Sequence, residues 1–88
     1  MYGVIATVDI SDAAAATKAL AERVVPMVKA APGFVAGYWV RLDEGHGVSL
    51  VVFETEEQAR SGSPQEGTSG PDGVTFTSVR IGEVVGSA

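Results

Sequence analysis

A chain of 88 residues with 45% apolar residues and no cysteine has room for one hydrophobic core and for no disulfide or cysteine-based metal site. Its formal net charge of −5, with only six Lys and Arg residues scattered along the chain, argues against a phosphate-rich partner such as nucleic acid. Its apolar runs are much shorter than the roughly 18 residues of a membrane span, and its N-terminus lacks the basic residues of a signal peptide, so we expect a cytoplasmic protein outside the membrane.

The first segment, from Tyr2 to Ile10, is rich in β-branched residues and nearly continuously apolar. This pattern predicts a strand that is covered on both faces. Ser11 follows it and offers a side-chain oxygen to cap a helix, and Asp12 places a negative charge at the positive end of the helix dipole. We therefore predict that a helix begins directly after the first strand.

The predicted first helix extends over residues 12–31, where alanines raise the helical propensity. Pro26 lies inside this segment and deprives the Glu22 carbonyl of its usual N–H partner, so we expect a kink in the last turns. Pro32 and Gly33 end the helix. An apolar stripe at helical spacing is expected to face the sheet and comprises Ala13, Ala16, Leu20, Val24, Met27 and Ala31.

Two further strands are predicted, the second from Phe34 to Leu42 and the third from His46 to Glu54. The tripeptide between them, residues 43–45, is typical of a hairpin turn, and we expect Gly45 to take a positive φ. Alternation sorts the side chains of the second strand between the two faces of the sheet. One face carries Phe34, Ala36, Tyr38, Val40 and Leu42, and the other carries Gly37, Trp39 and Arg41.

A second helix is predicted to begin at Thr55, because Thr55 and Gln58 form a capping-box signature. It is expected to be short, since residues 61–73 contain four glycines and two prolines. We interpret that segment as an interrupted helix or a lid. The last strand is predicted over residues 74–85, with Gly82 as a β-bulge.

The resulting βαββαβ order goes with a family resemblance in three segments, VVPMVKAAPGFVAGYW, VSLVVFETEEQAR and IGEVV. They resemble the helix-to-strand motif, the strand-to-helix junction and the closing strand of the antibiotic-biosynthesis-monooxygenase-like proteins. The resemblance implies an α+β, ferredoxin-like subunit with both helices on one face of an antiparallel sheet, and a homodimeric α/β barrel formed by two such sheets. A chain of this size buries only about 60–65% of its unfolded surface, which separately favours self-association.

The resemblance also implies a pocket for a small hydrophobic or aromatic ligand. The activity it implies is oxygenation of an aromatic or quinonoid substrate without a bound cofactor; the alternative is a dimer of the same fold that binds a ligand or partner and catalyses nothing. Haem degradation in this family depends on an Asn, a Trp and a His. The corresponding positions here offer Thr7 and Phe53, the second helix has no histidine, and the chain has no asparagine, so haem breakdown is not expected.

Three residues are candidates for stabilising the anion of a substrate: Tyr38, Arg41 and His46. His46 is the only histidine, but its place at a hairpin favours a surface role, and a lone histidine makes no metal site. Trp39 and Arg41 share a strand face and suit either a dimer interface or ligand stacking. Tyr38 either donates its phenolic hydrogen bond to a ligand or packs in the core. The predicted wall of the pocket comprises Thr7, Trp39, Phe53 and Arg80.

Overall fold

The computed structural model describes residues 1–64, 67 and 73–88 and contains four strands and two helical runs within them. The first helical run is continuous but changes its helix type twice. The elements in chain order are β1 (Tyr2–Ile10), α1 (Ala13–Ala19), a π-helical segment (Leu20–Val24), α2 (Val25–Lys29), β2 (Phe34–Asp43), β3 (His46–Phe53), α3 (Glu56–Gly62) and β4 (Val74–Glu83).

The four strands form one sheet in the order β2-β3-β1-β4, and every neighbouring pair is antiparallel. The structure therefore confirms an α+β fold of broadly ferredoxin-like type. No helix in the described part of the chain combines the length and the apolar character needed to span a bilayer.

The core lies on the face of the sheet that the helices cover. Its buried members are Val4, Val51 and Phe53 from the central strands and Ala59 from α3, and Val28 of the first helical run packs against them. Val4 and Val51 are direct cross-strand partners. Truncating a buried phenylalanine such as Phe53 typically costs about 3–5 kcal/mol, so this cluster holds α3 onto the sheet.

The first helix is capped by Asp12 and not by Ser11, which corrects the sequence-based expectation. The Asp12 carboxylate accepts the Ala15 N–H at 3.1 Å, and the Asp12 backbone is extended, as is usual for an N-cap residue. Ser11 instead donates both its backbone N–H and its hydroxyl to the Gly73 carbonyl, at 2.9 and 3.0 Å. Ser11 therefore ties the start of α1 to the start of β4.

The interruption expected at Pro26 takes the form of a π-helical segment that precedes the proline. The N–H of Val25 donates to the Leu20 carbonyl, five residues back. Pro26 then lies in the first turn of α2, the part of a helix that accommodates proline best. The extra residue in the π-helical turn rotates the side chains of α2 about the helix axis relative to those of α1. Met27 of the predicted apolar stripe is consequently 69% exposed, and Val28 faces the core in its place.

The β2–β3 hairpin differs from the prediction in two respects, the facing of Phe34 and the backbone conformation of Gly45. The register shifts between Phe34 and Ala36, so that Phe34 packs against the core instead of sharing a face with Tyr38. Gly45 does not take the predicted positive φ. The Asp43 carboxylate accepts the Gly45 N–H at 2.8 Å and shapes the turn without a left-handed glycine.

The bulge in β4 lies at Thr77 and not at the predicted Gly82, which pairs regularly with Gly3. Thr7 pairs with Ser78 and Val8 pairs with Phe76, which leaves Thr77 unpaired in the ladder. The Thr77 hydroxyl donates to the Thr7 carbonyl at 3.0 Å. The predicted short second helix is confirmed, since α3 ends at Gly62, whereas most of the lid predicted over residues 61–73 lies outside the described residues.

The other face of the sheet is not covered by the helices. Ile5, Leu50 and Tyr38 are partners across three adjacent strands and are 49%, 38% and 64% exposed. Arg80 pairs with Ile5, and Thr7 shares this face by alternation. We call this surface the open face and define it by Thr7, Ile5, Tyr38, Leu50 and Arg80.

Candidate functional site

A cavity of about 350 Å³ lies between the first helical run and the sheet. The helical side of this helix–sheet cavity is formed by Ala16, Leu20 and Val24, which belong to the predicted apolar stripe. The sheet side includes Val8 of β1, Ser49 of β3 and Phe76 of β4. The walls are thus mostly apolar, with a few polar groups, as in pockets for small organic molecules.

Trp39 separates this cavity from the core. Its side chain packs against the core cluster and also lines the cavity. The tip of the indole ring lies over Gly37, because a Cβ built on Gly37 would come within 2.8 Å of the ring. Glycine at that position therefore lets the ring lie close to the sheet. Trp39 therefore lies on the face of the sheet that the helices cover, across the sheet from Tyr38.

Arg41 lies two residues after Trp39 on the same face of β2 and also lines the cavity. The residue as a whole is exposed, which places its charge at the margin of the cavity rather than in its depth. Among the described residues that line the cavity, Arg41 alone carries a formal charge. Trp39 and Arg41 together give the cavity an aromatic surface beside a fixed cation.

Tyr38, Thr7 and Arg80 lie on the open face, across the sheet from the cavity. Tyr38 pairs with Leu50 and is 64% exposed. Arg80 is exposed opposite Ile5. Thr7 engages its backbone carbonyl with Thr77. The sequence-based pocket residues are therefore divided between two faces, and these three do not meet Trp39 and Arg41.

Phe53 is 2% exposed and belongs to the core cluster. A Cβ built on Gly62 would approach its ring to 2.6 Å, which shows how closely α3 packs on it. Phe53 does not line the helix–sheet cavity. Its role in the structure is to hold α3 on the sheet.

His46 lies at the end of the β2–β3 hairpin with 59% of its side chain exposed. Its surface position agrees with the sequence-based interpretation, but the imidazole is oriented, which was not expected. Nδ1 lies 2.9 Å from the Asp43 carboxylate, and Nε2 lies 3.7 Å from that of Asp9. The hydrogen bond with Asp43 raises the pKa of His46, and the same bond, aided by the Gly45 N–H, lowers the pKa of Asp43.

His46 cannot act on a molecule in the helix–sheet cavity from this position, since it is not one of the lining residues. Of the three candidates for anion stabilisation, Arg41 alone lines the cavity. Within the described ranges, no group of three or more His, Cys, Asp or Glu residues is arranged to hold a metal ion.

The sequence interpretation missed Phe76 and Ser49 as cavity residues. The sequence places Phe76, one of three phenylalanines in the chain, only within the predicted last strand. Its alternation with Val74, which also lines the cavity, was the available signal. Ser49 pairs with Trp39 across the hairpin, which places its hydroxyl beside the indole on the same face.

Comparisons of this chain with protein-family models, with curated proteins and with solved structures find no match. The resemblance to the antibiotic-biosynthesis-monooxygenase-like proteins therefore stays a prediction.

Proposed function

We propose that this protein binds a small, flat hydrophobic molecule in the helix–sheet cavity. The observation that carries the proposal is the pairing of an indole surface with a cation in an otherwise mostly apolar cavity. Pockets for small ligands have volumes of about 300–1,000 Å³, and the cavity of about 350 Å³ lies at the lower end of that range. Its size favours a molecule of two or three fused rings over a larger polycyclic one.

Trp39 provides the direct test, because it is the only tryptophan in the chain. Titration with 1,4-naphthoquinone should quench its fluorescence in a saturable manner. The Ala16→Phe variant fills the cavity from the helical side and should abolish saturation. Ala14→Phe is the matched control, since Ala14 is an exposed residue of the same helix. If Ala16→Phe binds as the wild type does, the ligand does not occupy this cavity.

A second candidate function is reaction of the bound molecule with dioxygen, as the family resemblance implies. The supporting observation is Arg41, since a cation beside an apolar wall favours the anion of a phenol or enol, the form that donates electrons to oxygen. In the balanced reaction, a hydroquinone loses two electrons and two protons to become a quinone, and dioxygen becomes hydrogen peroxide. An anthrone instead gains one oxygen atom at its methylene carbon, and the second oxygen leaves as water with the two hydrogens.

Oxygen uptake separates the two candidate functions. Wild-type protein incubated aerobically with hydroquinones and anthrones should consume oxygen faster than buffer alone if it is an oxygenase. Arg41→Met should remove the excess rate, whereas Arg80→Met on the open face should not. Saturable binding of 1,4-naphthoquinone without any excess oxygen uptake would leave ligand binding as the function and eliminate oxygenation.

We further propose that the open face packs against the open face of a second copy to form a homodimeric α/β barrel. The supporting observation is the row of Ile5, Leu50 and Tyr38, whose large apolar surfaces are exposed in the single chain. Contiguous exposed apolar surface of this kind marks interaction sites in small proteins. The molecular mass in solution tests this proposal and is considered below with the stability of the whole molecule.

A further inference from the structure

We propose that the ligand of the helix–sheet cavity is an aromatic anion, a planar ring system that carries one carboxylate or phenolate paired with Arg41. This inference rests on the proposed binding function and specifies the chemistry of the ligand.

The charge of Arg41 is not neutralised by a carboxylate of the described residues. Ion pairs in that part of the chain include His46 with Asp9 and Asp43, and Arg60 with Glu56, and none of these involves Arg41. Asp43, the acid nearest to Arg41 along β2, is engaged by the His46 ring at 2.9 Å and the Gly45 N–H at 2.8 Å. The guanidinium therefore offers its fork of N–H donors to an external acceptor, and a carboxylate matches that fork with two parallel hydrogen bonds.

The rest of the site excludes a cation and disfavours a sugar-like ligand. No Asp or Glu lines the cavity in the described part of the chain, so a cationic ligand has no partner there. Besides Arg41, the described lining residues with polar side-chain groups are Thr17 and Ser49, which carry hydroxyls, and Trp39, which carries an indole N–H. A molecule rich in hydroxyl groups would leave most of them without hydrogen bonds, which costs about 1–3 kcal/mol for each buried group. The walls instead match a flat apolar body.

The spacing of Trp39 and Arg41 orients that body. Residues i and i+2 of a strand lie on one face about 6.6–6.8 Å apart. A fused ring stacked on the Trp39 indole therefore brings a substituent on its outer edge within reach of the guanidinium. Since Arg41 is exposed, the charged end of the ligand lies at the cavity margin and the rings point inward. The anion thus keeps part of its hydration while the rings lose theirs.

Three probes of nearly identical shape test the inference: 2-naphthoate, its neutral amide 2-naphthamide, and 2-naphthalenemethanol. Each is titrated against the wild-type protein with Trp39 fluorescence as the signal. We expect 2-naphthoate to bind about tenfold more tightly than either neutral probe, because hydrogen bonds to a charged group are roughly twice as strong as neutral ones. Added salt should weaken 2-naphthoate binding and leave 2-naphthamide binding unchanged.

Arg41→Met keeps the length of the side chain and removes its charge. It should weaken 2-naphthoate binding about tenfold and change 2-naphthamide binding by less than about twofold. Arg41→Lys should give an intermediate loss for 2-naphthoate, since an ammonium keeps the charge but not the planar fork. Arg80→Met is the matched control and should change neither affinity, because Arg80 lies on the open face.

Equal affinity for the anion and the amide, or an equal loss of both in Arg41→Met, would overturn the aromatic-anion inference and leave cavity binding intact. A failure of all three probes and of 1,4-naphthoquinone to bind folded wild-type protein would overturn the proposed function itself. The two failures are therefore distinguishable.

Discussion

At the scale of residues, the contacts of His46 with Asp43 and Asp9 raise the pKa of a surface histidine. Its Nδ1 lies 2.9 Å from one Asp43 oxygen and 3.2 Å from the other, and its Nε2 approaches Asp9. The three residues are neighbours because His46 of β3 pairs with Asp9 of β1 on one side and with Asp43 of β2 on the other. The site is exposed, so its electrostatic effect is partly screened by water.

The pair of His46 and Asp43 predicts a specific pH dependence of stability. The pKa of His46 is raised above its ordinary 6.5, so its contribution is fully present below pH 6.5 and is lost as the pH rises through the folded-state pKa. The pKa of Asp43 is lowered below 3.8, so its contribution is fully present above pH 3.8 and is lost as the pH falls through the folded-state pKa. The pair therefore stabilises the fold most between these values.

Urea unfolding of the wild type and of His46→Gln across this range is the measurement. The difference in unfolding midpoint should be largest between pH 3.8 and 6.5 and should shrink toward zero at alkaline pH. Asp43→Asn is the control, because it keeps an oxygen for the Gly45 N–H and removes the charge. A difference that is constant with pH would show that the two residues do not interact in solution.

Substitution of Gly37 should change the shape of the cavity without replacing any residue that lines it. An added methyl at Gly37 would lie 2.8 Å from the Trp39 ring, so the ring tip must move away from its place over the sheet. We expect Gly37→Ala to shift the Trp39 emission maximum and to weaken 1,4-naphthoquinone binding severalfold, since crowding of this size typically costs about 1–3 kcal/mol. Gly82→Ala is the control, because nothing lies near that position. Unchanged binding in Gly37→Ala would mean that the indole is not a wall of the ligand site.

At the scale of elements, α3 is a seven-residue helix that begins at a side-chain cap and ends where the backbone becomes extended. The Thr55 hydroxyl accepts the Gln58 N–H at 3.2 Å and starts the helix. At the other end, the backbone is extended at Ser63. Isolated helices of this length are not stable in water, so the helix depends on its cap and on the burial of Ala59 against the core.

Removal of the Thr55 cap should therefore be measurable in the stability of the whole chain. Thr55→Ala removes the acceptor and should lower the free energy of unfolding by about 1 kcal/mol, whereas Thr55→Ser keeps it and should cost less than half of that. Chemical denaturation of the three proteins at one pH checks the prediction. Equal destabilisation by Ala and Ser would assign the effect to the lost methyl group and not to the cap.

Much of the element pattern could be predicted from the sequence, because turn residues and apolar runs are local signals. β1 has its predicted bounds, and α3 begins with the predicted Thr55 cap. The register shifts beside Phe34 and at Thr77 could not be predicted, since a single inserted residue changes the facing of its neighbours only through the partner strand. The same reason explains Met27, because the π-helical segment rotates the following turn.

The candidate site could be predicted only in part from the sequence. Alternation correctly placed Trp39 and Arg41 on one face of β2, and Tyr38 on the other. Alternation does not show which face the helices cover. That choice decides whether an aromatic residue lines the cavity or is exposed on the open face. Arg80 was therefore grouped with Trp39, although the sheet separates them. Alternation in the sequence shows which residues of a strand share a face. Only the packing of the helices shows which of the two faces is covered.

At the scale of the whole molecule, the two faces of the sheet have opposite environments. The helices cover one face, with a core that includes Phe53 at 2% exposure. On the other face, Ile5, Leu50 and Tyr38 form a row of exposed apolar side chains. A chain of 88 residues has a small core, and burying this row against a second copy adds apolar contact that the single chain lacks.

The proposed dimer therefore predicts that stability depends on protein concentration. The wild type should have twice the chain mass by sedimentation equilibrium, and its Tm should rise with concentration, since association favours the folded state by mass action. Leu50→Glu places a charge in the middle of the apolar row and should give a folded monomer whose Tm does not change with concentration. Met27→Glu is the matched control, because Met27 is 69% exposed on the helical side and should leave the dimer intact.

These variants also connect the two proposals, because the helix–sheet cavity lies on the face away from the open face. If the dimer only protects the open face, monomeric Leu50→Glu should still bind 1,4-naphthoquinone with an affinity within about twofold of the wild type, since distant sites are usually independent. A monomer that has lost binding but kept its circular dichroism spectrum would show that the cavity needs the second copy. A wild-type protein that is monomeric at all concentrations would instead remove the barrel and leave the cavity proposal to stand on Trp39 and Arg41.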